Sequence, residues 1–212
     1  MTFKYFLLLV SLLIFMSGVT IAQELQFGGL TGISASKAFS KNSSPEIYET
    51  DDINPRVSFN VNAFVAYKTS ERWGVSVEPG FIQKGFSLPV ETGTTQGDAK
   101  IRLNYIQLPV LAEFYATQKL YFSVGPEFAY LLNARYKMQE KTDITDIYDN
   151  RFEVSGLAGV NYNIYQNFDI GLRYSRGLTK TTGIIFTNSA GEYAGESKEF
   201  NQYLQFIVKF KL

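Results

Sequence analysis

Val57-Ser-Phe-Asn-Val-Asn-Ala-Phe-Val-Ala-Tyr67 is the stretch whose pattern decides the fold. Val57, Phe59, Val61, Ala63, Val65 and Tyr67 fall on one side of a period of two, and Ser58, Asn60, Asn62, Phe64 and Ala66 on the other, which describes a strand. Working outward, Trp73, Val75, Val77, Pro79 and Phe81 alternate with Gly74, Ser76, Glu78 and Gly80. Ile106, Leu108, Val110, Ala112 and Phe114 alternate with Tyr105, Gln107, Pro109, Leu111 and Glu113. The same period returns over residues 120–130, 152–162, 168–175 and 203–212, and more weakly over the Gly-rich opening from Leu25 to Ser36. Eight strands result, with no helical period after residue 22. Pro79 and Pro109 remove ladder donors in mid-strand and predict bulges.

The connections alternate between short and long. Lys68 to Arg72, Ala116 to Lys119 and Tyr165 to Asn167 read as tight links, whereas Lys37 to Pro55, Gly85 to Lys100, Asn133 to Asn150 and Lys180 to Glu199 read as long polar loops. An up-and-down meander with all its tight turns at one end is the pattern of a bacterial outer-membrane barrel, with short periplasmic turns and longer extracellular loops. The fold class expected is all-β: an eight-stranded antiparallel up-and-down transmembrane β-barrel, with both termini periplasmic.

The first 22 residues are of another kind. Lys4 precedes the apolar run Phe6 to Met16, and a small-x-small end follows at Thr20-Ile21-Ala22, as in a secretory signal peptide. The run is shorter than the ~20 apolar residues of a spanning helix. The expected division is a signal peptide at 1–22 and a barrel domain at 23–212.

Composition removes most other functions. The chain of 212 residues has 20 Lys+Arg, 20 Asp+Glu, no Cys and no His. The leader takes one Lys with it, leaving 19 basic against 20 acidic residues, so no basic field recommends nucleic acid. Without Cys and His there is no disulfide, thiol nucleophile, Ser-His relay or imidazole–metal site.

Alternation alone does not say which face is inside. An eight-stranded barrel encloses a space just wide enough for side chains to fill, and the apolar faces, with about five large residues per strand, would overfill it. The opposite faces, rich in Gly, Ser, Asn and Ala, fit. The apolar belt therefore faces lipid, and Glu78, Glu113, Glu127, Glu153, Asp169, Arg173 and Lys209 pair inside. Tyr67, Trp73, Tyr115, Tyr121, Tyr130, Tyr162 and Phe168 lie near strand ends, where interfacial girdles sit.

Four segments carry a resemblance: Gly80-Phe-Ile-Gln-Lys-Gly-Phe86, Leu103-Asn-Tyr-Ile-Gln-Leu-Pro-Val-Leu-Ala-Glu-Phe114, Val124-Gly-Pro-Glu-Phe-Ala-Tyr-Leu-Leu-Asn-Ala134 and Gly171-Leu-Arg-Tyr-Ser-Arg-Gly-Leu-Thr179. In this order they resemble the PorT-like outer-membrane β-barrel family of Bacteroidetes, with Gln107 where that family usually has an acidic residue. The resemblance implies fold and location, and links to protein secretion or gliding. It brings no catalytic residues.

No catalytic, cofactor or metal residue is assigned, and no cofactor is expected. The lumen carboxylates could supply acid–base chemistry only to a substrate able to enter a filled interior, so a structural ion-pair network is the preferred reading. Asp143, Asp146 and Asp149 set three carboxylates at even spacing, but without the alternate ligands, central Gly and closing Glu of an EF-hand loop, and read as a solvated acidic loop, as do Asp51-Asp52.

The expected protein is non-enzymatic and acts through its long loops, with a narrow pore or a secretion accessory as the alternative. Expected partners are outer-membrane lipid and lipopolysaccharide, the barrel-assembly machinery during biogenesis, and an envelope or secretion-system protein. On the terminal strand, Phe210→Asp is expected to be destructive and Lys209→Ala tolerated.

Overall fold

The computed structural model describes residues 24–42, 53–92, 95–138, 140–148, 150–187 and 193–212. The expected signal peptide at 1–22, Asp51-Asp52 and Asp149 lie outside the described residues.

The strands are β1 (Glu24–Asn42), β2 (Asn54–Lys68), β3 (Trp73–Val77), β4 (Gly80–Thr92), β5 (Thr95–Tyr115), β6 (Leu120–Lys137), β7 (Lys141–Asp143), β8 (Phe152–Tyr165), β9 (Phe168–Gly177), β10 (Thr182–Thr187) and β11 (Tyr193–Lys211). Each barrel strand pairs antiparallel with its neighbour, and β1 pairs with β11 from Gly28↔Lys211 to Asn42↔Ser197, which closes the sheet into a ring of eight and leaves no edge in lipid. The third strand of the ring is β3 and β4 together, interrupted at Glu78-Pro79. There the Ala63 N–H donates to the Pro79 carbonyl and the Glu78 N–H to the Pro109 carbonyl, so the break passes without orphaned donors.

The facing is as the volume argument requires. Val57, Phe59, Val61 and Val65 are exposed on β2, whereas Ser58, Asn60, Asn62, Phe64 and Ala66 are buried. On β11, Leu204, Phe206 and Phe210 point out and Tyr203, Gln205, Ile207 and Lys209 point in. The interior also takes large residues where glycines make room. A Cβ on the inward-facing Gly28 would stand 2.9 Å from the ring of Phe64, which packs with Leu30, Ala66 and Ile207.

Two expectations are corrected. First, the stretch from Gly85 to Lys100 is no loop: β4 and β5 run on as a hairpin to Thr92↔Thr95. β1, β6 and β11 also extend into stretches expected to be loops, and β7 and β10 are formed there. A strand of 21 residues such as β5, at roughly 3.3 Å each, reaches about 70 Å against an apolar band of about 25 Å, so the hairpins project well beyond the membrane. Second, Tyr121 is no girdle residue. It is buried in the lumen, and its hydroxyl donates to Asp169 at 2.9 Å. Trp73, Tyr130, Tyr162 and Phe168 are exposed at the rims. Tyr115 is half-buried at the turn end, stacked on Tyr121.

Candidate functional site

The lumen is the place where a barrel of this size conducts, catalyses or is closed. Three clusters of charge occupy it. In the first, Lys84 Nζ lies 2.9 Å from both Glu127 Oε1 and Glu153 Oε1, all three side chains at most 1% exposed. The remaining acceptors are also met: Asn201 Nδ2 donates to Glu153 Oε2 at 2.7 Å, Ser155 Oγ to Glu153 Oε1 at 3.0 Å, and the Tyr203 hydroxyl to Glu127. Tyr105 and Tyr203 present their ring faces to the Lys84 ammonium at 5.1 and 5.3 Å.

In the second, Glu78 receives both terminal nitrogens of Arg173, at 2.5 and 2.9 Å, and Lys209 Nζ at 3.1 Å. Lys209 also faces Glu113 at 3.7 Å, whose other oxygen accepts from the Tyr115 hydroxyl at 2.7 Å. In the third, at the turn end, Asp169 holds Lys211 at 2.9 Å and accepts from Tyr121 and Asn163. Charges this dry are sustained only because nearly every one is paired and hydrogen-bonded.

Every lumen charge named from the sequence is thus placed inside: Glu78, Glu113, Arg173 and Lys209 together, Glu127 and Glu153 together, and Asp169 below them. Sequence reasoning missed Lys84, the cation on which Glu127 and Glu153 converge. Continuing the alternation Glu78, Gly80, Ile82 by one step would have found it. The expected tolerance of Lys209→Ala is corrected by the same geometry. Lys209 is buried between two carboxylates, and its removal leaves Glu113 without a cation.

At the hairpin end an apolar cap lies over the first cluster. Ile82, Leu103, Tyr105, Leu131 and Tyr203 pack with Tyr148, which follows the 3-10 turn Thr145–Ile147. Ser36 Oγ bridges to Gly85, accepting its N–H at 2.9 Å and donating to its carbonyl at 2.8 Å, so β4 leans across toward β1. Gly85 adopts φ 147°, a conformation open to glycine.

The two described carboxylates of the acidic loop, Asp143 and Asp146, have separate partners. The Asp143 carboxylate accepts from the Thr145 hydroxyl at 2.6 Å and backbone N–H at 2.9 Å, bonds that hold its pKa below the usual range. Asp146 faces Arg151 at 3.4 Å. Among the described residues no three acidic side chains group as cation ligands.

The profile of the outer membrane protein beta-barrel domain family matches residues 21–183. No curated protein matches. Among solved structures, similarity is found to Ail, the attachment invasion locus protein of Yersinia pestis, with 14% identity over 89% of this chain and 99% of that chain and a TM-score of 0.47. OprG from Pseudomonas aeruginosa shows 12% identity over 90% and 95%, with a TM-score of 0.42. Neisserial surface protein A shows 14% over 90% and 100%, with a TM-score of 0.41. Most of the chain, including seven of the eight strands of the ring, falls within the family match, and the chain belongs to the outer membrane protein β-barrel domain family.

Proposed function

We propose that this chain is a closed, non-enzymatic outer-membrane barrel that works through its projecting hairpins, with the leader at 1–22 directing export and both termini in the periplasm. The observation that carries this reading is the filled lumen. Ion-pair clusters built on side chains at most 2% exposed stand one above the other, beneath a cap formed by Tyr148 and its neighbours. The charges of these clusters are paired with one another and leave a hydrated ion no free counter-charge, and a substrate has no open route to the carboxylates.

Single-channel recording in planar bilayers tests it. The purified barrel is expected to give no stable conducting steps. Reproducible openings would contradict the closed lumen and favour the narrow pore.

The narrower PorT-like assignment rests on the four motifs, and with it a role beside a secretion apparatus. Pull-down from native membranes, with a tag in the 180–199 segment, is expected to retain an envelope protein. Recovery of the barrel alone would remove the accessory reading.

A further inference from the structure

Above the apolar belt, on the outward face of β5, β6 and β7, like charges stand directly opposite one another. The ladder pairs Arg102 with Arg135, Lys100 with Lys137, and Lys137 with Lys141. All five side chains are exposed, and they share a face because the register shifts between Asn104 and Tyr105. Below that shift the even residues of β6 point outward, as Phe122 and Tyr130 do; above it the odd ones do. Like charges in directly opposed positions destabilise a sheet, and three such pairs in a row call for a counter-charge.

The protein supplies part of it: Asp143 stands directly opposite Arg135, its carboxylate already bonded to Thr145, and Asp98 lines the cleft, two acids against five cations. None of the five cations forms an ion pair among the described residues. They line one side of a cleft of about 640 Å³ whose other wall is Asn54 to Val57 of β2. Arg56 stands there with its guanidinium donating to the Ile101 carbonyl at 3.5 Å and to Gln83 at 3.3 Å.

Immediately below, the same strands carry an apolar groove of about 800 Å³ lined by Phe81, Ile106, Leu108, Phe128, Tyr130 and Leu132. Arg102 lies four residues beyond Ile106, roughly 13 Å along the strand and, for a strand tilted by roughly 35–45°, about 10 Å along the membrane normal, which sets the cations at headgroup level when Ile106 lies a few ångströms inside the hydrocarbon. We propose that this cleft and groove form one binding site for a phosphorylated glycolipid of the membrane, its phosphate between Arg102 and Arg135 and its acyl chains along Ile106, Leu108 and Phe128. Arg is the side chain that meets phosphate with paired donors. The apolar groove is what selects a lipid over a soluble anion. The inference rests on the transmembrane reading of the belt.

The test uses the full mature barrel in nanodiscs, with binding followed by native mass spectrometry and folding by heat-modifiable migration. Three probes are compared: diphosphorylated lipid A, the same lipid without phosphates, and inorganic phosphate. The diphosphorylated lipid is expected to bind at least tenfold more tightly than the dephosphorylated one, and inorganic phosphate at least a hundredfold more weakly. Arg102→Gln with Arg135→Gln should abolish the tenfold preference while leaving heat-modifiable migration intact. Lys100→Gln with Lys137→Gln should weaken it similarly, and serves if the first pair fails to fold. Equal binding of the two lipids, or an unchanged preference in the variants, would overturn the proposal. Inorganic phosphate binding as tightly as the lipid would overturn the lipid as occupant and leave a soluble anion. A wild-type barrel without heat-modifiable migration would contradict the transmembrane reading itself, a different failure from any of these.

Discussion

Replacing Lys84 by Met is expected to destabilise the barrel by about 3–5 kcal/mol, the usual effect of removing one partner from a buried ionic group. Lys84 has no solvent to share its charge with, and its ammonium stands 2.9 Å from two carboxylates that are themselves buried. Without it, Glu127 and Glu153 face each other dry, with only Tyr203, Asn201 and Ser155 to donate to them. The denaturant midpoint of the folded band in heat-modifiable gels measures the effect. The triple variant Lys84→Met, Glu127→Gln, Glu153→Gln should recover most of the loss, because it removes the charges as a set. If Lys84→Met unfolds at the wild-type midpoint, the first cluster contributes nothing to the closed lumen. If the triple variant is no better than the single, the loss comes from packing and not from charge.

The second large effect is on the lipid side of β11. Phe206 stands mid-belt, opposite Ile33 of β1 and Leu172 of β9, and is 41% exposed to what would be hydrocarbon. Phe206→Arg is expected to cost about 2–4 kcal/mol, the midplane value for a cation on a barrel's outer face. Phe210 is different. It packs on Phe168 with ring centroids 5.0 Å apart, next to the turn at Asn167, so Phe210→Asp places its charge near the interface, where the cost falls to about 0–1 kcal/mol plus the lost aromatic contact. Refolding into lipid vesicles should therefore be impaired much more by Phe206→Arg than by Phe210→Asp, with the lower denaturant midpoint in the former. The reverse order would place the belt lower on the strand than the structure does. This revises the destructive effect expected of Phe210→Asp from sequence, where position along the strand could be seen but depth could not.

The same distinction explains what was legible in the sequence. Inside the membrane, lipid on one side and a narrow lumen on the other impose a strict period of two, so β2, β9 and β11 can be read residue by residue. Beyond the membrane that constraint ends. The β4–β5 hairpin from Gly85 to Lys100 reads as a loop because Pro89 interrupts the short apolar row Phe86, Leu88, Val90 and the residues from Glu91 to Lys100 are polar or small, although its ladder continues to Thr92↔Thr95. Lys84 escapes because the strand read from sequence ends at Phe81: the adjacent apolar pair Phe81-Ile82 interrupts the apolar–polar alternation, although the inward parity of Glu78, Gly80 and Ile82 continues to Lys84. The basic face of β5 and β6 is hidden by a bulge, because a register shift reverses which residues point outward and no sequence period announces it. Tyr121 illustrates the opposite error. Its place near a strand end suggested a rim, while its shared parity with Ser123 already pointed it inward.

The central claim is that the apolar face meets lipid and the polar face fills a closed lumen. A chain without cysteine allows it to be tested one position at a time. Single cysteines from Leu204 to Val208, each carrying a nitroxide label in lipid bilayers, should alternate in their accessibility to dissolved oxygen. Labels at Leu204, Phe206 and Val208 should be strongly relaxed by oxygen, and those at Gln205 and Ile207 shielded from it. Uniform accessibility along the five positions, or alternation with Gln205 and Ile207 as the lipid-exposed set, would contradict the account.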